Sequence, residues 1–409
     1  MSRLKVFGLF LIYVNDSFSS KAYTAAPLKQ QKEKNRGVAT MTGQSGIFFK
    51  TRHFFKPRRI LQLIFLLITC YIGIRFYGFA HQLEAGLPVT VERPPGVEAF
   101  LPISALVSLK YFMVTGVFSR VHPAGLVLFM LICGTALLFR KGFCSWICPI
   151  GFLSDILARI HLKLFNKKFR VPVWPDRVLQ SLKYLIAGFF IYSIFINMPA
   201  NALAQFINSP YNRFADLKML EFFSRISPTA LTVLLILLVL SVMVPYFWCR
   251  YLCPYGALLG LISFFSAGKI SRDSDRCTGC RRCERICPGQ IKITGRETVR
   301  SLECSACQRC VDACPEKEVL RFTFFRRFSI SPGMMGAIMA AGFVIAVFTA
   351  RQAGLWHSKT PVQAYYSYYQ EKQAPWSRLK NVDPEKLRRM MEAMERMQGM
   401  EKKPSADRQ

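Results

Sequence analysis

Two short stretches leave this chain little freedom in how it folds. Cys277, Cys280, Cys283 and Cys287 are spaced by two, two and three residues and are followed by Pro288; Cys304, Cys307, Cys310 and Cys314 repeat that spacing before Pro315. A tight loop with a cysteine at every third position can wrap a compact inorganic core on three sides, and a remote fourth thiolate closes the cage. Zinc also takes CxxC pairs, but its four-ligand sites do not call for three ligands at this spacing plus a distant fourth before proline, twice over.

Each run matches the bacterial two-cluster ferredoxin pattern, in which the fourth cysteine of one run serves the other run's cluster and locks the two halves into one fold. On that pattern one [4Fe-4S] cluster takes Cys277, Cys280, Cys283 and Cys314, and the other takes Cys304, Cys307, Cys310 and Cys287. Two clusters side by side make a short wire, not an active site. Arg272, Arg276, Arg281, Arg282, Arg285, Arg300 and Arg309 crowd the same stretch. Cations near an anionic cubane raise its potential; they also suit anionic lipid headgroups or an acidic redox partner, and the sequence does not separate these.

Outside that module the chain is greasy and basic at once: 52% of its 409 residues are hydrophobic and its formal net charge is +31. Soluble globules rarely combine the two, whereas apolar spans joined by basic loops do. Nucleic acid is not an expected partner, because the basic residues are scattered along loops instead of gathered on one polar domain. Five segments are apolar enough to span a bilayer: Ile60–Phe79, Ala124–Phe139, Leu182–Met198, Thr229–Phe247 and Gly333–Ala350. A sixth, Leu101–Ser119, carries Lys110 near its middle and is read as interfacial or re-entrant. The basic approach to the first span (Lys50, Arg52, Lys56, Arg58, Arg59) puts the N-terminus in the cytoplasm. With five spans, the loop Arg159–Lys183 and the region Ala267–Arg327 are cytoplasmic too. Disulfides in the cysteine runs are then disfavoured, since thiols there stay reduced.

Two more cysteine pairs end apolar runs: FCSWICPIG from Phe143 to Gly151, and WCRYLCPYG from Trp248 to Gly256. Both cysteines recur at an offset of 105 (249 − 144 and 253 − 148). Cysteines four apart share a helix face. The proline after each pair favours a helix restart, so Cys148 and Cys253 are expected at helix N-termini, where thiolates are stabilised. Span, CxxxCP and helix form an internal repeat, and repeated membrane halves put functional sites at their interface. Cys144, Cys148, Cys249 and Cys253 are therefore candidate ligands of an additional centre, a third iron–sulfur group at the membrane surface. A redox-active dithiol and plain packing at a helix break are the other readings. Trp146, Trp248, Tyr251 and Tyr255 are read as membrane-interface anchors more than as quinone contacts. Cys70 and Cys133 stand alone in apolar runs and are read as small core residues. His81 and His122 flank the outer loop but lack a haem motif.

The ends are less informative. MSRLKVFGLFLIYV resembles a signal peptide without a small-residue cleavage site, and Met41 offers an alternative start. After the last span come AYYSYY and then DPEKLRRMMEAMERMQ, with Asp383 as N-cap and Pro384 opening an amphipathic helix, either solvated or partner-docking. The expected fold class is a mainly α-helical integral membrane protein with about five transmembrane helices in an internal repeat, plus a small α+β two-cluster ferredoxin-like domain. The expected organisation is an N-terminal extension (1–50), a membrane domain with both CxxxCP repeats (51–268), the ferredoxin-like domain (269–325), the last transmembrane helix (326–351) and a tail with the amphipathic helix (352–409).

The two CxxxCP motifs, the two cysteine runs and the stretch RPPGVEAFLPISALVSLKY resemble the membrane-bound polyferredoxins of the NapH/YccM type, related to the membrane core of NosR, over roughly Lys50 to Ile330. The resemblance implies a bacterial inner-membrane protein, with its ferredoxin-like domain cytoplasmic, that exchanges electrons between the quinone pool and an unidentified redox protein, as a quinol dehydrogenase-type component. A maturation or regulatory protein, whose clusters reduce a metal or sense redox state, is the alternative. A redox-coupled transporter is disfavoured, because Arg75 and Lys110 are the main ionisable residues in the apolar segments.

Overall fold

A computed structural model describes residues 57–373 apart from 167, 168, 170 and 326, together with Glu385 and Arg388. The reading for residues 1–50 lies outside the described residues, and of the helix opening at Pro384 only Glu385 and Arg388 are described, both helical.

The chain is mostly helical. In order come α1 (Pro57–Glu84), a 3-10 turn (Pro95–Phe100), α2 (Pro102–Thr115), α3 (Pro123–Phe139), α4 (Gly142–Trp146), α5 (Pro149–Phe165) and α6 (Val173–Tyr192), which widens into a π turn (Ser193–Asn197). Then follow α7 (Ala200–Asn208), α8 (Pro210–Arg213), α9 (Ala215–Ser224), α10 (Pro228–Met243), a second π turn (Trp248–Leu252) and α11 (Pro254–Ile262). Proline fixes many of the starts: α2, α3, α5, α8, α10 and α11 each carry one in the first turn, where the missing N–H has no helical partner to lose. Ser227 caps α10 by accepting the Ala230 amide at 3.2 Å.

Among the described residues, three helices are long and apolar enough to cross a membrane: α1, α6 with its π turn, and α14 (Pro332–Gln352) after the ferredoxin-like module. The pair α9 and α10, bent by 80° at a short break, makes a fourth if taken as one span. All five expected segments are thus helical, but α3, at 17 residues, is short for a span. The segment expected to be interfacial is α2, only 14 residues long. Its Lys110 ammonium donates to the carbonyl of Ile194, 3.0 Å away, and to that of Met198. These carbonyls are freed where α6 loses its regular ladder, so the charge is solvated by backbone.

Cys70 does not sit in a core; it is exposed on α1, whereas Cys133 is half-buried. The reason is general to spans: the lipid-facing side of such a helix is as apolar as its packed side, so an apolar run does not say which way a residue points. The AYYSYY patch lies in α15 (Val362–Gln373), which folds back onto the far end of α1. Tyr365 stands edge-on to Phe79 and Phe214 at 5.5 and 5.4 Å.

Between α11 and α14 lies the module holding the eight ferredoxin-type cysteines. Strands β1 (Gly268–Arg272), β2 (Leu320–Phe324) and β3 (Phe328–Ile330) form an antiparallel sheet in the order β1-β2-β3. Inside it, α12 (Arg282–Ile286) and α13 (Arg309–Asp312) are single turns, each running between the later cysteines of its run. One core is continuous from α3 and α14 through Trp146 into Cys283, Cys287, Cys304 and Cys310, so module and membrane helices pack as one body.

Candidate metal centres

The long cysteine runs curl as their spacing demands. Arg281 and Gln308 take left-handed backbone (φ 55° and 56°) just ahead of α12 and α13, turning each CxxCxxC loop inward. Two hollows result. One is lined by Cys277, Cys280, Cys283 and Cys314, among others; the other by Cys287, Cys304, Cys307 and Cys310. Each hollow therefore receives three cysteines of one run and the fourth of the other. Burial pushes the Cys287 thiol up to about 11, and burial together with Cys307, Cys304 and Cys287 holds the Cys310 thiol well above its ordinary value. Loading a metal group displaces those protons. Among the described residues, no three His, Cys, Asp or Glu side chains close on a single metal-ion position.

The two CxxxCP copies approach one another: Ser154 Oγ, on the helix that follows Cys148, lies 3.4 Å from Cys249 Sγ. Burial first, and then the neighbouring thiols, push Cys144 and Cys249 up. The two copies close with the same wide hydrogen bond: the Cys148 amide to Phe143 O at 3.0 Å, and the Cys253 amide to Trp248 O at 2.9 Å. Both second cysteines stand at a helix start, as expected, and Cys253 Sγ accepts the Gly256 amide at 3.3 Å. The expected thiolate stabilisation is nevertheless outweighed. Burial pushes Cys148 up although the amides of Gly151 and Ile150 pull it down, and it lifts Cys249 to about 12. Glycine is sterically required in the first motif and not in the second. A Cβ on Gly151 would fall 1.9 Å from Cys144 O, while one on Gly256 would meet Cys253 Sγ at 3.6 Å.

Charged residues hold this thiol quartet to the module. Glu303, next to Cys304, accepts from Lys141 at 3.0 Å, Lys183 at 2.7 Å and Tyr184 at 2.7 Å. Burial alone would raise the Glu303 carboxyl, but Lys141 and Lys183 hold it well below the usual range. Arg140 is fully buried and donates to Ser301 O at 2.5 Å, while its Nε and Nη1 find no partner among the described residues. Ser145 Oγ donates to Ser305 O at 2.6 Å. In the second copy, Arg250 grips Asp176 with two bonds of 2.8 and 2.6 Å, Tyr251 adds a third at 2.6 Å, and Arg250 also reaches Pro288 O at 3.3 Å. Arg309 pairs with Asp155 at 2.7 Å and donates to Tyr246 at 2.6 Å, so it belongs to this joint and not to an exposed basic face.

Sequence reasoning missed Glu303, Lys141, Lys183, Asp155 and Asp176. The signal was present as ionisable residues at the ends of apolar segments, but their partners are remote in sequence. Trp146 and Tyr251 are corrected as well. Both are buried in protein, with the Trp146 indole bonded to Ala306 O and the Tyr251 hydroxyl to Asp176, so neither anchors at a lipid interface. Tyr255 packs against Phe129 and Phe143, and Trp248 is exposed. His81 is exposed while His122 is buried with its Nε2 bonded to Asn212 O at 2.7 Å, so they do not face one another as an axial pair.

Residues 121–172 and 226–273 match the 4Fe-4S binding domain family, and residues 269–315 match the 4Fe-4S dicluster domain family. Each of the first two segments contains one CxxxCP motif. The chain is 38% identical over 316 residues to the putative electron transport protein YccM of Escherichia coli (strain K12), covering 75% of this chain and 88% of that one. It is 25% identical over 240 residues to the methylamine utilization ferredoxin-type protein MauN of Methylobacillus flagellatus, covering 58% and 76%. To the ferredoxin-type protein NapH of Haemophilus influenzae it is 27% identical over 154 residues, covering 37% and 49%. No solved structure matches.

Proposed function

Because this chain belongs to the YccM/NapH family of ferredoxin-type electron transport proteins of the membrane, we propose that it passes electrons between membrane quinone and a soluble redox protein through three thiol-held iron–sulfur groups. The observation that carries this reading is the make-up of the two hollows, each lined by three cysteines of one run and the fourth of the other. Cys277, Cys280, Cys283 and Cys314 would hold one [4Fe-4S] group, and Cys304, Cys307, Cys310 and Cys287 a second. Cys144, Cys148, Cys249 and Cys253 would hold a third. Such a group, when bound, takes up or gives out one electron at a time.

The chain's own residues supply insulation, spacing and charge. Lys141 and Lys183 are buried on one carboxylate, Glu303, and Arg140 is buried nearby in the chain against the Ser301 carbonyl. Unpaired buried charge is costly. The surplus of cations supports an anionic group held by the neighbouring thiols, and Lys141 acts on both Cys144 and Cys249. The links from Ser145 and Trp146 to Ser305 and Ala306 support an order in which the CxxxCP quartet comes first, the Cys287/Cys304 hollow next and the Cys277/Cys280 hollow last. We assign the protein to the bacterial inner membrane with five spans and the module on the cytoplasmic side. Quinone would meet the CxxxCP quartet near the bilayer surface.

Anaerobic purification with iron counting and EPR tests this. Two cubanes alone give about eight irons per chain; the proposal expects a clear excess that is lost in Cys144→Ala or Cys249→Ala, and quinol should reduce the groups in proteoliposomes. Unchanged iron and signal in both variants removes the third group. Reduction only by a soluble low-potential donor, never by quinol, removes the quinone step.

A further inference from the structure

We propose that the arginine-lined rim around Cys280 is the docking surface for an acidic soluble redox protein, which exchanges electrons at the Cys277/Cys280/Cys283/Cys314 hollow; this rests on the function proposed above. The module is strongly asymmetric. Its bonds to the membrane domain described above involve Pro288, Ser301, Glu303, Ser305, Ala306 and Arg309. All of these belong to the half around the Cys287/Cys304 hollow. That half is the more enclosed: Cys287, Cys304 and Cys310 are buried and Cys307 is half-buried. In the other half Cys283 alone is buried, while Cys277 and Cys314 are half-buried. Of the eight ferredoxin-type cysteines only Cys280 is exposed, and Thr278 and Gly279 beside it are exposed too. An external electron carrier therefore finds its shortest approach at Cys280.

The charge around that opening selects the carrier. Arg276, Arg281, Arg282 and Arg285 are all exposed within ten residues of chain. The acids of the same loop are turned to structural work. Asp273 accepts the amides of Asp275 and Arg276 at 3.1 and 3.3 Å, and Glu284 accepts those of Ile293 and Thr294 at 2.8 Å each. Glu318 stands between Arg276 at 4.0 Å and Arg321 at 3.6 Å. Asp275 remains as an exposed acid beside the opening and Glu316 as an exposed acid lining the hollow itself, so the four exposed arginines outnumber the acids left around it. A bilayer surface is the less favoured occupant, because the membrane helices attach to the opposite half of the module. Redox encounters use small interfaces and lean on electrostatic steering, which sets their rate and their salt dependence. In the exchange one electron leaves the carrier's reduced centre and enters the group held by this hollow, or the reverse; no bond forms or breaks and no proton is required.

The test uses the full-length protein, purified anaerobically in detergent with its iron counted. Its reduction by a plant-type [2Fe-2S] ferredoxin of strongly negative charge, pre-reduced with dithionite and freed of excess, is followed by stopped flow at low and high salt. The expected result is a rate that falls at least tenfold between about 20 and 500 mM salt as the steering is screened. In Arg276→Glu/Arg282→Glu the low-salt rate should fall by a similar factor and lose its salt dependence, while Arg282→Lys stays near wild type. Iron content and reduction by dithionite alone should not change in any variant. A salt-independent rate, or an unchanged rate in the double glutamate variant, overturns the docking surface. So does a double variant that loses binding to phosphatidylglycerol vesicles while keeping its ferredoxin rate, which assigns the rim to lipid. An iron-free wild-type protein instead overturns the underlying function, an outcome the iron count tells apart from all the others.

Discussion

The indole N–H of Trp146 donates to the backbone carbonyl of Ala306, 3.1 Å away. One residue lies between Cys144 and Cys148, the other between Cys304 and Cys307, so a single buried bond ties the membrane thiol quartet to the loop of the nearer hollow. Trp146 is fully buried, so Ala306 O has no water to fall back on. Trp146→Phe keeps most of the packing and deletes the donor. The expected cost is about 1–3 kcal/mol, the penalty of an orphaned buried acceptor. Trp146→Ala should cost about 3–5 kcal/mol, because a cavity is added. Anaerobic denaturant unfolding measures both, and equal midpoints for wild type and Trp146→Phe would show that the bond contributes nothing.

The two glycines of the CxxxCP repeat should differ sharply despite their matched places in sequence. A methyl on Gly151 would sit 1.9 Å from a backbone oxygen, that of Cys144, which cannot swing away without moving the cysteine. A methyl on Gly256 meets only ordinary contacts, 3.6 Å from Cys253 Sγ and 3.7 Å from Cys249 O. Gly151→Ala is expected to cost about 3 kcal/mol or more through overpacking and to strip any iron held by the quartet. Gly256→Ala should stay within about 1 kcal/mol of wild type and keep its iron. Iron counts on the two proteins side by side decide it; equal losses would mean that the copies are built alike.

Glu303 is the one carboxylate between Lys141 and Lys183. Glu303→Gln keeps a hydrogen-bond acceptor of the same shape and removes the charge. Breaking a buried pair from one side leaves a buried cation unmatched, at about 3–5 kcal/mol. Lys141→Met alone should cost less, since Lys183 and Tyr184 remain on Glu303. Thermal unfolding under anaerobic conditions gives the ranking, and a Lys141→Met protein less stable than Glu303→Gln would reverse it.

Local chemistry was legible in the sequence because it is written at short range. The x2, x2, x3 spacing set which cysteines share a hollow, and proline after each CxxxC marked the starts of α5 and α11. The 105-residue offset implied that the two CxxxCP copies face one another, and Ser154, on the helix after the first copy, lies 3.4 Å from Cys249 Sγ of the second. What was not legible depends on remote partners or on which side of a helix faces lipid. Nothing near Lys183 in the chain announces Glu303, and Arg309 looked like one more surface arginine until Asp155 came up against it. Cys70 was misplaced because burial cannot be read from an apolar run that borders lipid. The bend between α9 and α10 is also a tertiary matter, so the count of spans was only partly readable.

Asp155 gives a prediction with a definite sign in pH. It lies on α5, buried, between Arg58 at 2.5 Å and Arg309 at 2.7 Å, with the Tyr246 hydroxyl at 2.6 Å. Burial would raise its carboxyl, but Arg309 and Arg58 outweigh that and leave it below the ordinary value of 3.8. A carboxyl depressed on folding contributes stability that is fully present above its unfolded value and is lost as pH falls through the folded one. Asp155→Asn should therefore cost about 3 kcal/mol at pH 7, the low end for breaking a buried pair, since Arg58 and Arg309 keep some contact with water. The gap between wild type and variant should hold from pH 7 down to about 5 and then narrow from about pH 4 downward. Anaerobic denaturant midpoints for both proteins across that range measure the gap, so acid lability common to the two cancels. A gap that widens on acidification would mean that Asp155 is protonated in the native protein and that its arginines are held by something else.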